Sequence, residues 1–315
     1  MPLSQIAKQK SFDGVTTGGR ASTRLPTNGT HYGLYLIPRQ TTGAITSIAN
    51  VCACIGQVQI FVNGDLKVQA TAAEILLMEY HKTGHFPGCE PGALFATQFS
   101  QLRGIIPWRW VNEMADTFEQ RTVFGLGCAD VNSYEVQLEI LNPTGATAIK
   151  SVDVFTDYNP MLNLPLGTHR TLLAYPRSFA TTGLREEKDI PFGDKSAGIL
   201  AGYWIQKTTG TPGTLLTLRQ KVNNVLVTDD VPPELLGVED DGRRMVFPAT
   251  YITDTAMTAG LHKLHGVLHN DLGGSAASML DLGQVNDLRY TEDWSVTPGG
   301  AFDIVIEQIK GLVRK

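Results

Sequence analysis

The amino-acid sequence predicts an all-β protein built as two related units in one chain, and three observations carry that prediction. The first is composition. The 315 residues include 32 glycines, 16 prolines and 32 threonines, while charged residues make up only 18%. Turn formers and a β-branched residue at that frequency suit many short strands joined by turns, not long charged helices. The second is alternation of apolar and polar residues at the period of a strand, seen most cleanly at Tyr134–Ile140. The third is an internal repeat. At an offset of 160 residues, Val62-Asn63 matches Val222-Asn223, Leu66 matches Leu226, Glu74 matches Glu234, Leu76 matches Leu236 and Glu79 matches Glu239.

The elements follow in order. Residues 1–20 are polar and read as an N-terminal arm. Ala21–Leu25 is a first strand, and His31–Pro38 is apolar enough to be a strand buried on both faces. Ile45–Val51 is another strand candidate. Val58, Ile60 and Val62 then alternate with Gln59 and Phe61, Asn63-Gly64 supplies a two-residue hairpin turn, and Leu66-Lys67-Val68 resumes the alternation. Thr71 and Glu74 have the S/T-x-x-E spacing of a capping box, in which each side chain satisfies a free backbone N–H at the start of a helix. Gly84 is the matching stop. Residues 85–110 read as loop and then a strand at Ile105–Trp110. Val111–Gln120 repeats Val111, Met114, Ala115 and Phe118 at helical spacing.

Tyr134–Leu141 turns Tyr134, Val136, Leu138 and Ile140 to one face and Glu135, Gln137 and Glu139 to the other, as a half-buried strand does. Asn142–Thr168, with Pro143, Pro160 and Pro165, reads as the connection between the halves. Thr171–Phe179, Ile199–Gln206, Thr214–Val222, Val246–Thr253 and Phe302–Ile309 are the strands of the second half. Asp229 or Asp230 would cap its helix, with Pro232-Pro233 in the first turn. A second match, at an offset of 168, aligns Tyr134–Glu139 with Phe302–Glu307, and the drift of eight residues implies an insertion in the second half near 255–300. Two all-β units of this size, with about eight short strands each, point to two jelly rolls side by side. The divisions are 1–20 for the arm, 21–158 for the first jelly roll with a linker from about 142, and 159–315 for the second.

Composition also narrows function. A net charge of −5 argues against a nucleic-acid binder, which needs a basic footprint. No run of eighteen apolar residues is present, so no membrane-spanning helix is expected. The start, MPLSQIAKQK, lacks the apolar stretch of a signal peptide, and folding in a reducing cytoplasm is expected. Cys52, Cys54, Cys89 and Cys128 form no C-x-x-C and read as buried thiols. Cys52 and Cys54, at strand spacing, would share a face.

Taken with this order of elements, Ile55–Gly84, Val111–Ile140, Gly198–Gln206 and the unit 215–239 resemble the major capsid proteins of tailless, membrane-containing bacteriophages, the double-jelly-roll lineage, and among them the corticovirus-type coat protein. The resemblance spans most of the chain as an order of elements, is specific in the first half and weak in the second. It implies a coat protein, not an enzyme, with two eight-stranded jelly rolls standing normal to the capsid surface and short helices in the loops. It implies homotrimers of pseudo-hexagonal outline that tile an icosahedral shell over an internal membrane, assembled in the host cytoplasm. Expected partners are further copies of the chain, penton or vertex proteins and minor membrane proteins. No cofactor is expected. Some relatives hold structural calcium between subunits, and no motif here matches its ligands. Lys8 and Lys10 near the start, and Lys310, Arg314 and Lys315 at the end, form two basic tips that would meet anionic lipid if they face inward.

Catalytic and binding alternatives rest on thinner signals. His262, His265 and His269 would bind zinc if they converged, but no H-E-x-x-H pattern accompanies them. Gly273–Ala277 resembles a nucleophile elbow without its final glycine. Gly193-Asp194-Lys195-Ser196 resembles the end of a phosphate loop without the earlier glycine. Gly125-Leu126-Gly127 is a lone G-x-G. Asp229-Asp230 and Glu239-Asp240-Asp241 are oxygen-rich but lack a calcium-loop pattern. The rival to a coat protein is a two-jelly-roll glycan-binding or glycan-hydrolysing protein, with Trp108 and Trp110 as a sugar platform or, equally, as core or interface anchors.

Overall fold

The computed structural model describes residues 4–40, 46–89, 95–111, 125–141, 149–179, 181–187, 190, 194–207, 212–232, 262–270 and 279–312. The chain divides into two compact units, residues 1–80 with 85–173, and residues 81–84 with 174–315.

The first unit runs through β1 (Gln5–Lys8), β2 (Arg20–Arg24), β3 (Thr30–Gln40), α1 (Ile48–Cys54), β4 (Ile55–Val62), β5 (Asp65–Thr71), α2 (Ala72–Thr83), α3 (Phe95–Ser100), β6 (Ile106–Arg109), β7 (Leu126–Gly127), β8 (Tyr134–Ile140) and β9 (Ile149–Asn159). One of its sheets has the order β1-β9-β3-β6, with β7 also on β3, and the other β5-β4-β8-β2. Next comes β10 (His169–Arg177), whose first residues belong to this unit: Leu172 and Leu173 run parallel to Val68 and Gln69 of β5.

The second unit contains the end of β10, then β11 (Gly183–Glu187), β12 (Gly198–Gln206), β13 (Thr214–Val222), β14 (Val225–Val231), β15 (Lys263–His269), β16 (Leu280–Asp281), β17 (Leu288–Val296) and β18 (Phe302–Lys310). Its strand orders are β10-β18-β12-β15, with β16 also on β12, and β14-β13-β17-β11. Strand for strand, this is the order of the first unit. Its core gathers Trp204, Trp294, Tyr290, Phe302, Ile304 and Ile306. Full burial of one large apolar side chain stabilises by roughly 1.5–3 kcal/mol.

The duplication extends to individual hydrogen bonds. Asn63 and Asn223 both hold left-handed backbone, at φ 53° and 48°, and the residues after them, Gly64 and Asn224, do the same at 81° and 64°. Two consecutive positive φ values make the tight hairpin turn that matches strand twist. Asn63 Oδ1 accepts from the N–H groups of Asn132 (2.7 Å) and Ser133 (3.4 Å), and Asn223 Oδ1 from those of Asn286 (2.7 Å) and Asp287 (3.1 Å). The irregularity between His31 and Gly33 on the β3–β9 ladder recurs between Ile199 and Ala201 on β12–β18.

These pairings correct several expectations. β8 is the counterpart of β17, not of β18, because β8 lies against the first hairpin strand β4 as β17 lies against β13. β18 corresponds to β9. The match at offset 168 arose because two apolar strands align readily in sequence, whatever their partners. The spacing between counterparts is 168 at Gly33 and Ala201, 160 at Asn63 and Asn223, 154 at Asn132 and Asn286, and 150 at Asp157 and Glu307. The shortfall therefore lies in the second unit, and the inferred insertion near 255–300 is wrong in sign.

Ile45–Val51 is not a strand. Ser47 caps α1, its Oγ accepting from the Asn50 N–H, and Ile48, Val51 and Cys54 are buried at helical spacing. Cys52 and Cys54 therefore sit on a helix. The supposed connection at 142–168 contains the eleven-residue β9, which pairs with both β3 and β1. The arm is partly ordered by β1. The predicted helix after Val111, the strand at 246–253 and the helix after Pro232 lie outside the described residues.

Other local predictions for the first unit hold. The Thr71 N–H donates to Glu74 Oε2 at 2.6 Å, and the Glu74 N–H donates to Thr71 Oγ1 at 3.2 Å, completing the capping box of α2. Gly84 ends the helix at φ 73°. In β8 the residues Tyr134, Val136, Leu138 and Ile140 are buried, with the intervening polar residues turned outward.

Candidate functional site: buried ionisable groups and open strand edges

β15 places His265 inside the second unit. It is the extra residue of a bulge, between Leu264 opposite Ile205 and Gly266 opposite Trp204. Its ring lies 5.0 Å from Trp294, and its Nε2 is 3.0 Å from Gln206 Oε1, so Nε2 carries the hydrogen and donates. Burial pushes its pKa down to about 3. His262 is lowered to about 4, by burial first and by the Lys207 charge second, with Asp303 opposing. The His269 side chain is outside the described residues. Among the described residues no three His, Cys, Asp or Glu side chains gather closely enough to hold a metal ion.

The other sequence-level sites have structural employment. Trp108 and Trp110 are buried edge to face at 5.5 Å, and Trp110 Nε1 donates to the Tyr134 hydroxyl at 3.2 Å. They anchor the core of the first unit and are not a sugar platform. Asp194 Oδ1 accepts from the Ser196 N–H and hydroxyl, and Lys195 Nζ donates to the Val285 carbonyl, so these residues brace a turn. Leu126 and Gly127 form β7, where a Cβ on Gly127 would lie 2.2 Å from the Pro165 carbonyl oxygen. That glycine is a close-packing requirement. Asp229 and Asp230 both pair with Arg219. Gly193, Gly273–Ala277 and Glu239–Asp241 are outside the described residues. All four cysteines are free, with Cys54, Cys89 and Cys128 buried and Cys52 half-buried.

One buried group escaped the sequence reading. Glu292 of β17 is fully buried, and it receives a hydrogen bond at each carboxylate oxygen, from Trp204 Nε1 (2.5 Å) and Trp294 Nε1 (2.9 Å). Burial raises its pKa to about 7 against the pull of the two indoles; Glu187 adds to the rise and Arg185 opposes it. The signal was available: Leu288, Tyr290, Glu292 and Trp294 alternate as an apolar face with one carboxylate in phase. The first unit has Leu138 at the equivalent place.

At the surface, the arm is tied down by charge. Asp153 of β9 lies 3.0 Å from Lys8 Nζ and accepts from Arg39 Nε at 2.8 Å. Burial pushes its carboxyl up, and the two cations together hold it below the usual value. Lys10 pairs with Asp13 at 2.6 Å and Lys310 with Asp194 at 3.6 Å. Arg314 and Lys315 are outside the described residues. The edge strand β14 exposes Val225, Leu226 and Val227, and β1 exposes Ile6.

Two units of identical strand order, each an eight-stranded pair of sheets with one short extra strand, β7 on β3 or β16 on β12, define a double jelly roll. The chain is similar in fold to the major capsid protein P2 from Bacteriophage PM2, with a TM-score of 0.72 at 14% identity over 99% of both chains. It is also similar to a chain in the atomic structure of Sulfolobus Turreted Icosahedral Virus (TM-score 0.63, 11% identity, 98% of this chain and 90% of that one). The Faustovirus major capsid protein shares the fold as well (TM-score 0.58, 6% identity, 98% and 90%). No family description and no curated sequence relative matches the chain.

Proposed function

We propose that this chain is the major capsid subunit of an icosahedral, tailless virus, working as a homotrimer in a shell that encloses a membrane. The observation that carries the reading is the duplication. Two units with one strand order, one turn chemistry and one bulge position offer nearly equivalent flanks, as a pseudo-six-fold tile requires. The full-length likeness to proteins named as capsid proteins supports it. The role is structural, and no catalytic residues are assigned. Its partners are other copies of itself, vertex proteins and minor membrane proteins, and its place is the virion, assembled in the host cytoplasm.

The test is the native mass by light scattering. A stable species at three times 34.2 kDa is expected. A strict monomer with affinity for glycans overturns the reading in favour of its rival. Lipid contact by the basic tips is a separate part of the proposal, since Lys8, Lys10 and Lys310 each have an acidic neighbour. Flotation on anionic vesicles decides it: charge-reversed termini that bind as the wild type does would remove the tips from the account.

A further inference from the structure

β1 and β10 hold equivalent positions. β1 lies along β9, and β10 comes next to β18, the counterpart of β9. In the first unit, Leu172 and Leu173 at the start of β10 also cover the outer edge of the β4–β5 hairpin, parallel to Val68 and Gln69. The counterpart hairpin β13–β14 has no described strand on the outer edge of β14. Its residues are apolar and exposed, and among the described residues nothing pairs with that edge: Val225 is 64% exposed, Leu226 42% and Val227 57%. An exposed apolar strand edge is a template for pairing, which proteins otherwise blunt or cover.

Among the described residues no strand pairs with the outer edge of β1 either. The Gln9 N–H donates to the Val154 carbonyl at 2.8 Å, one step beyond the pairing of Lys8 with Phe155. Hydrogen bonding alternates along an antiparallel strand, so Gln5 and Ala7 face β9 while the backbone groups of Ile6 and Lys8 point to the open side. Ile6 is 67% exposed there.

We infer that the open edge of β14 receives β1 from a second copy of this chain, in the parallel direction that β10 takes on β5. The inference rests on the proposed self-assembly and names the strands that carry it. Run in parallel, Ile6 lies beside Val225–Val227, and Lys8 approaches the acidic pair Asp229–Asp230. The contact is head to tail, because β1 of one copy meets β14 of the next. Such contacts close only as rings, and a ring of three uses every β1 and every β14 once.

The test uses full-length chains. One copy carries Ile6→Cys and a second, differently tagged, carries Val227→Cys; the two are assembled together and oxidised. A disulfide-linked pair bearing both tags is expected, absent when either variant is assembled alone. Ile6→Pro provides the second arm: it removes an outward N–H and spares the ladder to β9. With far-UV circular dichroism unchanged, it is expected to raise the concentration at which the assembly dissociates by at least tenfold. A wild-type trimer that gives no mixed cross-link and is indifferent to Ile6→Pro overturns this inference and leaves the trimer standing. A cross-link found only when both cysteines sit on one chain overturns it too, by placing the occupant of the edge in the same chain. A wild-type monomer overturns the inference and the trimer together.

Discussion

Replacing Glu292 by Gln tests the electrostatics of the second unit directly. The carboxyl moves from an ordinary value of 4.5 to about 7 on folding. Between those values the folded chain holds a proton that the unfolded chain has released. Because the folded pKa is raised, the stability linked to this group is fully present below about pH 4.5 and is lost as pH rises to about 7. At about 1.4 kcal/mol per pKa unit, the loss is of order 3 kcal/mol. Glu292→Gln abolishes the titration and adds a pH-independent cost. A carboxamide has one acceptor oxygen for two indole donors, and a buried unpaired N–H costs about 1–3 kcal/mol. Urea unfolding of both proteins should therefore show the variant weaker at pH 4.5. It should then gain on the wild type by about 3 kcal/mol towards pH 7.5. His31, His262 and His265 are lowered by burial, and their linkage has the opposite slope, but they are common to both proteins and cancel in the difference. A difference that stays flat from pH 4.5 to 7.5 would refute the reasoning.

Other consequences are as direct. Asn63→Ala and Asn223→Ala should each cost roughly 2–3 kcal/mol in denaturant titrations, from two lost backbone hydrogen bonds and a left-handed alanine; Asn63→Gly, which keeps the backbone free, should cost about 1 kcal/mol less. His265 should remain neutral at pH 5 when its imidazole is followed by NMR, and the stability it contributes, present above pH 6.5, should fall as pH drops towards 3; an ordinary midpoint near 6.5 contradicts its burial. Asp153→Asn should release β1, measured as faster tryptic cleavage after Lys8 and Lys10, and acid should do the same, because the depressed carboxyl stabilises above its ordinary value and loses that effect as pH falls through its folded one.

The elements legible in sequence are those whose causes are local. The capping box at Thr71 and Glu74 and the turn at Asn63-Gly64 each need only residues within four positions, and both form as read. The alternation of β8 was legible because one face is wet. β18 lies between two strands and is buried along nearly its whole length, so its apparent alternation carried no facing information and aligned it with the wrong strand. α1 was misread because β-branched residues favour strands until a cap at Ser47 and a buried stripe three apart outweigh propensity. Glu292 stood in an apolar phase of β17, but nothing in the sequence placed Trp204, 88 residues away, against it.

By itself, then, the sequence determined that this chain is all-β, that it holds two copies of one plan, and where the first hairpin, its turn, the helix cap and the alternating strand β8 fall. Those follow from chirality, hydrogen-bond satisfaction and hydrophobic period acting over a few residues. Only the tertiary structure decided which strands correspond, that the second unit is the shorter, that His265 is a core residue, and which described strands end their sheets. Each of these depends on pairing between strands far apart in the chain. A ladder is chosen by the whole sheet that it completes, and many apolar segments fit one another equally well until the sheet selects among them.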